Sequence, residues 1–250
     1  MSTREAIRPQ AFAPLGRPIA TKVFADGADV EGIVRVAQDP RVSGFTTNPT
    51  LMRKAGIADY AAFARELLEQ VPDHPISFEV FADEPAEIRR QATLISSWGQ
   101  NVYVKIPITT TGGESTASIV KEVSGSGVQV NVTALMLPSQ VEVVADALKD
   151  GAPSCISVFA GRIADAGIDP LPIMQESLEI MRVAPAAELI WASPREVLNL
   201  IQADSIGCHI ITMTHDLLAK LDTLGKDLAE FSLDTVKMFH CYAAAAGYVL

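Results

Sequence analysis

Short apolar, β-branched runs return along the chain at regular spacing: TKVFAD, SGFTTN, ISFEVFAD, NVYVKIP, VQVNVTAL, CISVFAG, ELIWAS and CHIITM. Between them lie segments of helical character over 60–70, 84–97, 116–124, 138–149, 170–181 and 195–203. Strand then helix, repeated about eight times, predicts an α/β fold, a single (β/α)8 TIM barrel. An open doubly wound sheet would fit the alternation but would usually have fewer strands, and no Gly-rich nucleotide turn follows the first one. No linker divides the alternation. Residues 1–250 are therefore expected to form one domain, with its core over about 20–221, an arm over the first fifteen or so residues and an additional C-terminal helix over about 232–248.

Composition narrows the function. With 48% hydrophobic and 20% charged residues the chain has the profile of a compact globular protein. No apolar run approaches the roughly 20 residues of a membrane span, and MSTREAIRPQ has no apolar signal core, so a cytoplasmic protein with no membrane partner is expected. Three dispersed cysteines, Cys155, Cys208 and Cys241, suit neither a disulfide framework nor a zinc knuckle. The four histidines, His74, His209, His215 and His240, lack metal-ligand spacing, and neither a metal nor a cofactor is expected. A formal charge of −10 argues against a nucleic-acid surface, which needs clustered Lys and Arg. It leaves room for a small anionic ligand held by one or two arginines.

Alternate strand residues share a face, so parity shows which side chains can meet. Asp26 shares a face with Phe24, Glu79 with Ser77 and Phe81, Lys105 with Tyr103, Thr133 with Asn131, and Phe159 with Ser157. In each case polar groups gather near the strand's carboxyl end while the opposite face is apolar, as a barrel with a site at its carboxyl-end mouth requires. Some of these residues have plain structural readings: Asp26 as a turn or cap, Asn48 before Pro49 as a turn residue, Thr133 as an ordinary strand residue. GSGVQV at 125–130 reads as a helix-to-strand turn, and TTTGGES at 109–115, lacking a P-loop lysine, as a βα-loop. Glu79 and Lys105 are different, because each interrupts an apolar strand. A buried ion pair is one explanation; convergence of Asp26, Asn48, Glu79, Lys105, Asn131, Thr133 and Ser157 on one pocket is the other.

Such a pocket supports a definite chemistry. A lysine shielded from bulk water can present a neutral amine, attack a carbonyl and form a Schiff base, whose iminium is an electron sink for breaking or making the adjacent carbon–carbon bond. One carboxylate must handle the protons of the carbinolamine and another must take the hydroxyl proton whose loss drives cleavage. Glu79 and Asp26 are the two candidates.

The segments FADGAD, GFTTNPTLM, SFEVFAD, VYVKIPIT, NVTALM, SVFAGRIADAG and WASPRE resemble, in order, the blocks of the transaldolase family, including its small fructose-6-phosphate-aldolase-like branch. The resemblance runs from about residue 21 to about residue 221, and TTNPT followed by VKIP is its most specific part. It implies a class I aldolase barrel with Lys105 as the Schiff-base lysine and Asp26 as the acid/base that cleaves the sugar chain. Glu79 would work with Thr133 through a water. Asn48, Asn131 and Ser157 match residues that hold hydroxyls of the dihydroxyacetone unit, and Arg162, Ser193 and Arg195 match the group that binds the sugar phosphate. Two departures stand out: Gly27 replaces the usual Thr or Ser, and Pro194 the common Phe beside Arg195. They leave another anion, such as a sulfonate, open as the partner of Arg162 and Arg195.

Two positions separate transferase from aldolase within the resemblance. Transaldolases have Glu and Phe where the aldolase branch tends to have Gln and Tyr, and this chain has Glu79 and Phe159. The expectation is a transaldolase moving a three-carbon ketol unit from a ketose phosphate, such as fructose 6-phosphate or sedoheptulose 7-phosphate, to an aldose acceptor. Pentose phosphate metabolism is one setting for it. The alternatives are an aldolase releasing free dihydroxyacetone, a transaldolase acting on a non-standard, for example sulfonated, ketose, and a non-catalytic sugar-phosphate-binding barrel in which Lys105 only pairs with Glu79. The apolar ending MFHCYAAAAGYVL suggests a surface covered by the barrel itself or by another subunit, hence a homo-oligomer.

Overall fold

In a computed structural model that describes residues 18–249, eight parallel strands close into one barrel in chain order. They are β1 (Lys22–Asp26), β2 (Val42–Thr46), β3 (Ile76–Glu79), β4 (Val102–Pro107), β5 (Val130–Leu135), β6 (Ser154–Val158), β7 (Ala187–Trp191) and β8 (Ile210–Thr214). Closure is made by β1, which pairs with β2 on one side and β8 on the other and so leaves no open sheet edge. The expected arm lies outside the described residues.

The outer ring is formed by α1 (Val30–Val36), α2 (Pro49–Lys54), α3 (Tyr60–Gln70), α4 (Pro85–Ser96), α5 (Ala117–Gly125), α6 (Pro138–Leu148), α7 (Ala160–Asp165), α8 (Pro170–Ile180), α9 (Leu198–Ser205) and α10 (His215–Ala219). Their starts follow local chemistry. Asp29, Asn48, Asp59 and Asp169 each accept a backbone N–H from the first turn of α1, α2, α3 and α8. Pro lies at the start of α2, α4, α6 and α8, where its missing N–H costs nothing. One expected boundary is corrected: α9 begins at Leu198 and not at Arg195, because the Asn199 side chain accepts the N–H groups of Arg195 and Glu196 and holds them in a loop.

The strands carry two apolar surfaces of different size. The larger faces outward and meets the helices, with Phe45, Phe78, Val104, Val132, Ile156, Leu189, Trp191 and Ile211 all buried. The smaller fills the barrel below its mouth and consists of Phe24, Cys155, Ile190, Ala192 and Ile210, flanked by Tyr103 and Phe159. Space inside is tight: a Cβ on Gly44 of β2 would lie 2.7 Å from the Phe24 ring. With this interior filled by side chains, polar inward residues beyond it can meet only at the carboxyl-end mouth.

The chain finishes in α11 (Leu228–Ala245), capped by Asp227 and with no buried residue. Phe231, Met238, Phe239 and Tyr242 are all exposed there. Among the described residues no helix is long and apolar enough to cross a membrane.

Replacing Gly44 by Ala is expected to cost about 1–3 kcal/mol, the usual cost of overpacking a filled core. Urea unfolding should show the loss, and a second change, Phe24→Leu, should recover part of it by vacating the contested space.

Candidate functional site

Strand register brings the site together. Glu79 on β3 is level with Lys105 on β4, which is level with Asn131 on β5. Lys105 is buried, only 7% exposed. Its Nζ lies 3.2 Å from Glu79 Oε2 and donates to the Thr47 carbonyl at 3.0 Å. The Glu79 side chain keeps 15% of its surface open. A lysine ammonium has three donors, so these two contacts leave one N–H over.

Asp26 sits on the far side of β2 from this pair, at the end of β1. It is not a helix cap; Asp29 performs that task. Thr46 Oγ1 donates to Asp26 Oδ1 at 2.9 Å, and Asn48 Nδ2 donates to Oδ2 at 3.2 Å. Asn48 has two roles, because its Oδ1 also accepts the Leu51 N–H at 3.0 Å to start α2. That capping bond fixes which end of the amide faces Asp26. Burial pushes the Asp26 carboxyl above its ordinary value of 3.8, against the opposing pull of Lys105, Thr46, Asn48 and His215.

Deeper in the mouth, Asn131 Nδ2 donates to Ser77 Oγ at 3.0 Å and Ser157 Oγ donates to Asn131 Oδ1 at 2.7 Å, a buried line across β3, β5 and β6. Thr133 is buried on β5, and its Oγ1 has no hydrogen-bond partner among the described residues. An unmatched buried hydroxyl costs about 1–3 kcal/mol. Ala134, the residue after it, has φ 66° where the β5–β6 register shifts.

Phe159, Arg162, Ser193 and Arg195 form a second group at the rim. The Arg162 guanidinium lies 5.6 Å from the centre of the Phe159 ring. Arg195 is paired with Asp165, and its Nη1 donates to Ser193 Oγ at 3.0 Å. The guanidinium holds the exposed Asp165 carboxyl below its ordinary range. Ser193 adopts φ 61°, and its carbonyl crosses so close to α7 that a Cβ on Gly161 would lie 1.6 Å from it. Only glycine allows that crossing.

The structure therefore brings Asp26, Asn48, Glu79, Lys105, Asn131, Thr133 and Ser157 to one mouth, with the two arginines on exposed elements at its edge. Several contributors escape a strand-by-strand reading. Tyr60 at the start of α3 accepts the Glu79 N–H at 2.7 Å and donates to the Glu79 carbonyl at 3.1 Å, so it clamps that strand end. Burial pushes its phenol far above the ordinary range. Thr46, Thr47, Asp165, Thr212 and His215 were also unassigned. Thr212 could have been found by parity, since it shares the inward face of β8 with Ile210. Tyr60 leaves no such trace. Among the described residues no group of three or more His, Cys, Asp or Glu side chains is placed to hold a metal ion.

A closed parallel barrel with a buried lysine and two carboxyl groups at its carboxyl-end mouth carries the groups that aldolase-type chemistry needs. Comparison narrows the class to a family. Residues 23–246 match the Transaldolase/Fructose-6-phosphate aldolase family. Relatives called probable transaldolases share 35% identity in Dehalococcoides mccartyi and 36% in Streptococcus equi subsp. zooepidemicus, each over 201 residues, 80% of this chain and 89% of the relative. The chain belongs to the transaldolase/fructose-6-phosphate aldolase family. Solved structures at lower identity share the fold: an HpcH/HpaI aldolase/citrate lyase family protein from Burkholderia cenocepacia (13% identity, TM-score 0.57, 92% of this chain and 100% of that one) and dihydrodipicolinate synthase from Rhodopseudomonas palustris (18%, TM-score 0.55, 86% and 79%).

The raised Asp26 carboxyl gives a signed expectation. A group whose folded pKa lies above its unfolded value supports the fold below the unfolded pKa and loses that support as pH rises through the folded one. The thermal midpoint of Asp26→Asn relative to the wild type should therefore rise as pH climbs above the ordinary carboxyl value of 3.8. A difference that stays flat with pH would contradict the burial argument.

Proposed function

We propose that the protein is a transaldolase that moves a dihydroxyacetone unit from a ketose phosphate to an aldose acceptor through a Schiff base on Lys105. The observation that carries this reading is the setting of Nζ: buried, 3.2 Å from a carboxylate that retains some solvent access, and near enough for its charge to act on a second, separately hydrogen-bonded carboxyl, Asp26. A purely structural ion pair would explain Glu79 and Lys105 but not Asp26, nor the unmatched Thr133 hydroxyl.

In this reading Lys105 gives one ammonium proton to Glu79, and the neutral Nζ attacks the C2 carbonyl of the ketose. Glu79, with Thr133 holding a water, passes the protons by which the carbinolamine loses water and becomes the iminium. Asp26 takes the proton of the C4 hydroxyl, the C3–C4 electron pair flows into the iminium, and an aldose phosphate leaves. The enamine then attacks the acceptor aldehyde, Asp26 returns its proton to the new C4 oxygen, and water releases the product ketose. Asn48, Asn131 and Ser157 would bind hydroxyls of the three-carbon unit, and Arg162, Ser193 and Arg195 the phosphate.

Phe159 favours transfer over release. It places an apolar ring where a hydroxyl could protonate the enamine, so the three-carbon unit waits for an aldehyde. The alternative of free dihydroxyacetone release has no such support in the pocket. A sulfonated ketose remains a second substrate reading because Arg195, beside Pro194, offers a guanidinium that either anion can engage. The exposed apolar residues of α11 also support a homo-oligomer in which a second copy covers that helix. Light scattering on the full chain should then give a multiple of the single-chain mass, and Phe239→Glu with Tyr242→Glu should lower it; a monomeric wild type would contradict this.

The function is tested by giving the enzyme fructose 6-phosphate with and without erythrose 4-phosphate. Glyceraldehyde 3-phosphate should appear in quantity only with the acceptor, and Lys105→Met should abolish it. Free dihydroxyacetone accumulating at the same rate without acceptor would make the protein an aldolase.

A further inference from the structure

We propose that Thr212 and His215, at the end of β8 and the start of α10, are positioning residues for Asp26 in proton transfer. This rests on the role given to Asp26 above and adds an element, the eighth strand, from which no site residue was expected.

Thr212 is buried on the inward face of β8, and its Oγ1 lies 2.6 Å from Thr46 Oγ1, which in turn lies 2.9 Å from Asp26 Oδ1. Proton counting fixes the direction. An ionised carboxylate only accepts, so the single Thr46 proton points to Asp26, and the Thr212 proton must then point to Thr46. Two hydroxyls from β8 and β2 form a one-way chain ending on Oδ1. Such chains strengthen each member and favour the charged form of the group they end on. They also hold Oδ1 in place, together with a long contact of 3.5 Å from Asn48 Nδ2.

His215 follows the end of β8 as the first residue of α10. Its ring occupies a niche that exists because residues 27 and 32 are glycines: a Cβ on Gly27 would lie 2.9 Å from Nε2, and one on Gly32 would lie 2.9 Å from Cε1. The missing Cβ at Gly27 therefore admits an imidazole beside the residue that follows Asp26. Nε2 is buried and has no hydrogen-bond partner among the described residues. An apolar ring would fill the niche without that cost, so packing alone does not account for histidine. Its charge, when present, acts on Asp26 with the same sign as that of Lys105. The charged groups acting on Asp26 or bordering the niche are Lys105 on β4 and Asp29, whose Oδ2 borders the same Gly32 niche; Asp216 follows His215 in the chain and is exposed.

The test titrates Asp26 in the free protein by carboxyl 13C NMR, with the signal assigned by its loss in Asp26→Asn. Thr212→Val and His215→Phe should each move the titration to higher pH, because each removes support for the ionised form, while Thr212→Ser should titrate as the wild type does. In turnover with fructose 6-phosphate and erythrose 4-phosphate, the acidic limb of kcat should move the same way. At the wild-type optimum kcat should fall in both variants, by about two- to tenfold in Thr212→Val, the size of one neutral hydrogen bond, with KM little changed. A titration that is the same in wild type, Thr212→Val and His215→Phe overturns the proposal, even if activity falls. Borohydride trapping on Lys105 separates the two levels: adduct in the variants with slowed cleavage supports the proposal, whereas no adduct in the wild type removes the Schiff-base reading and the role of Asp26 with it.

Discussion

The structure depends on one constraint, a lysine ammonium held inside a closed barrel. An unpaired charge there would cost several kcal/mol of lost hydration. Glu79 and the Thr47 carbonyl offset that cost, and each is itself held: Glu79 by the Tyr60 hydroxyl clamped on its backbone, Thr47 by its N–H and Oγ1 donated to the Ser77 carbonyl. The apolar plug below, packed around Phe24 against the bare Gly44, separates this polar layer from the other end of the barrel. There the Lys22–Glu188 pair, half open to solvent, has no comparable constraint.

A second carboxyl, Asp26, works under opposite conditions. Among the described residues no cation is in direct contact with it; neutral donors reach both of its oxygens. Burial raises its proton affinity while Lys105 lowers it. Two acids with such different surroundings suit different proton tasks in one cycle. The separation comes from strand order, because β2 carries Thr46 and Asn48 between them.

Much of this was legible in the sequence. The alternation of β-branched runs with helical segments gave the barrel, and parity placed Asp26, Glu79, Lys105, Asn131 and Ser157 inward, where the structure has them. Short helices were missed: α1, α2, α7 and α10 have five to seven residues, too few for a helical period to rise above the neighbouring strand pattern. The start of α9 was misjudged because a side-chain cap from Asn199, not periodicity, decides it. Asp26 and Asn48 show how capping logic divides: Asn48 is both cap and site residue, while Asp26 leaves the cap to Asp29. Contributions that depend on long-range contact were invisible. Tyr60 reaches Glu79 across 19 positions and Thr212 reaches Thr46 across 166, and no local pattern announces either.

The central claim is that Lys105 is a nucleophile and not only the partner of Glu79. It is tested most directly by intact-mass and peptide analysis after borohydride reduction in the presence of fructose 6-phosphate. The account predicts a three-carbon adduct on the peptide carrying Lys105, absent from Lys105→Met. An unmodified Lys105 with every ketose donor tried, phosphorylated or sulfonated, would contradict it and leave the lysine as a buried ion-pair partner.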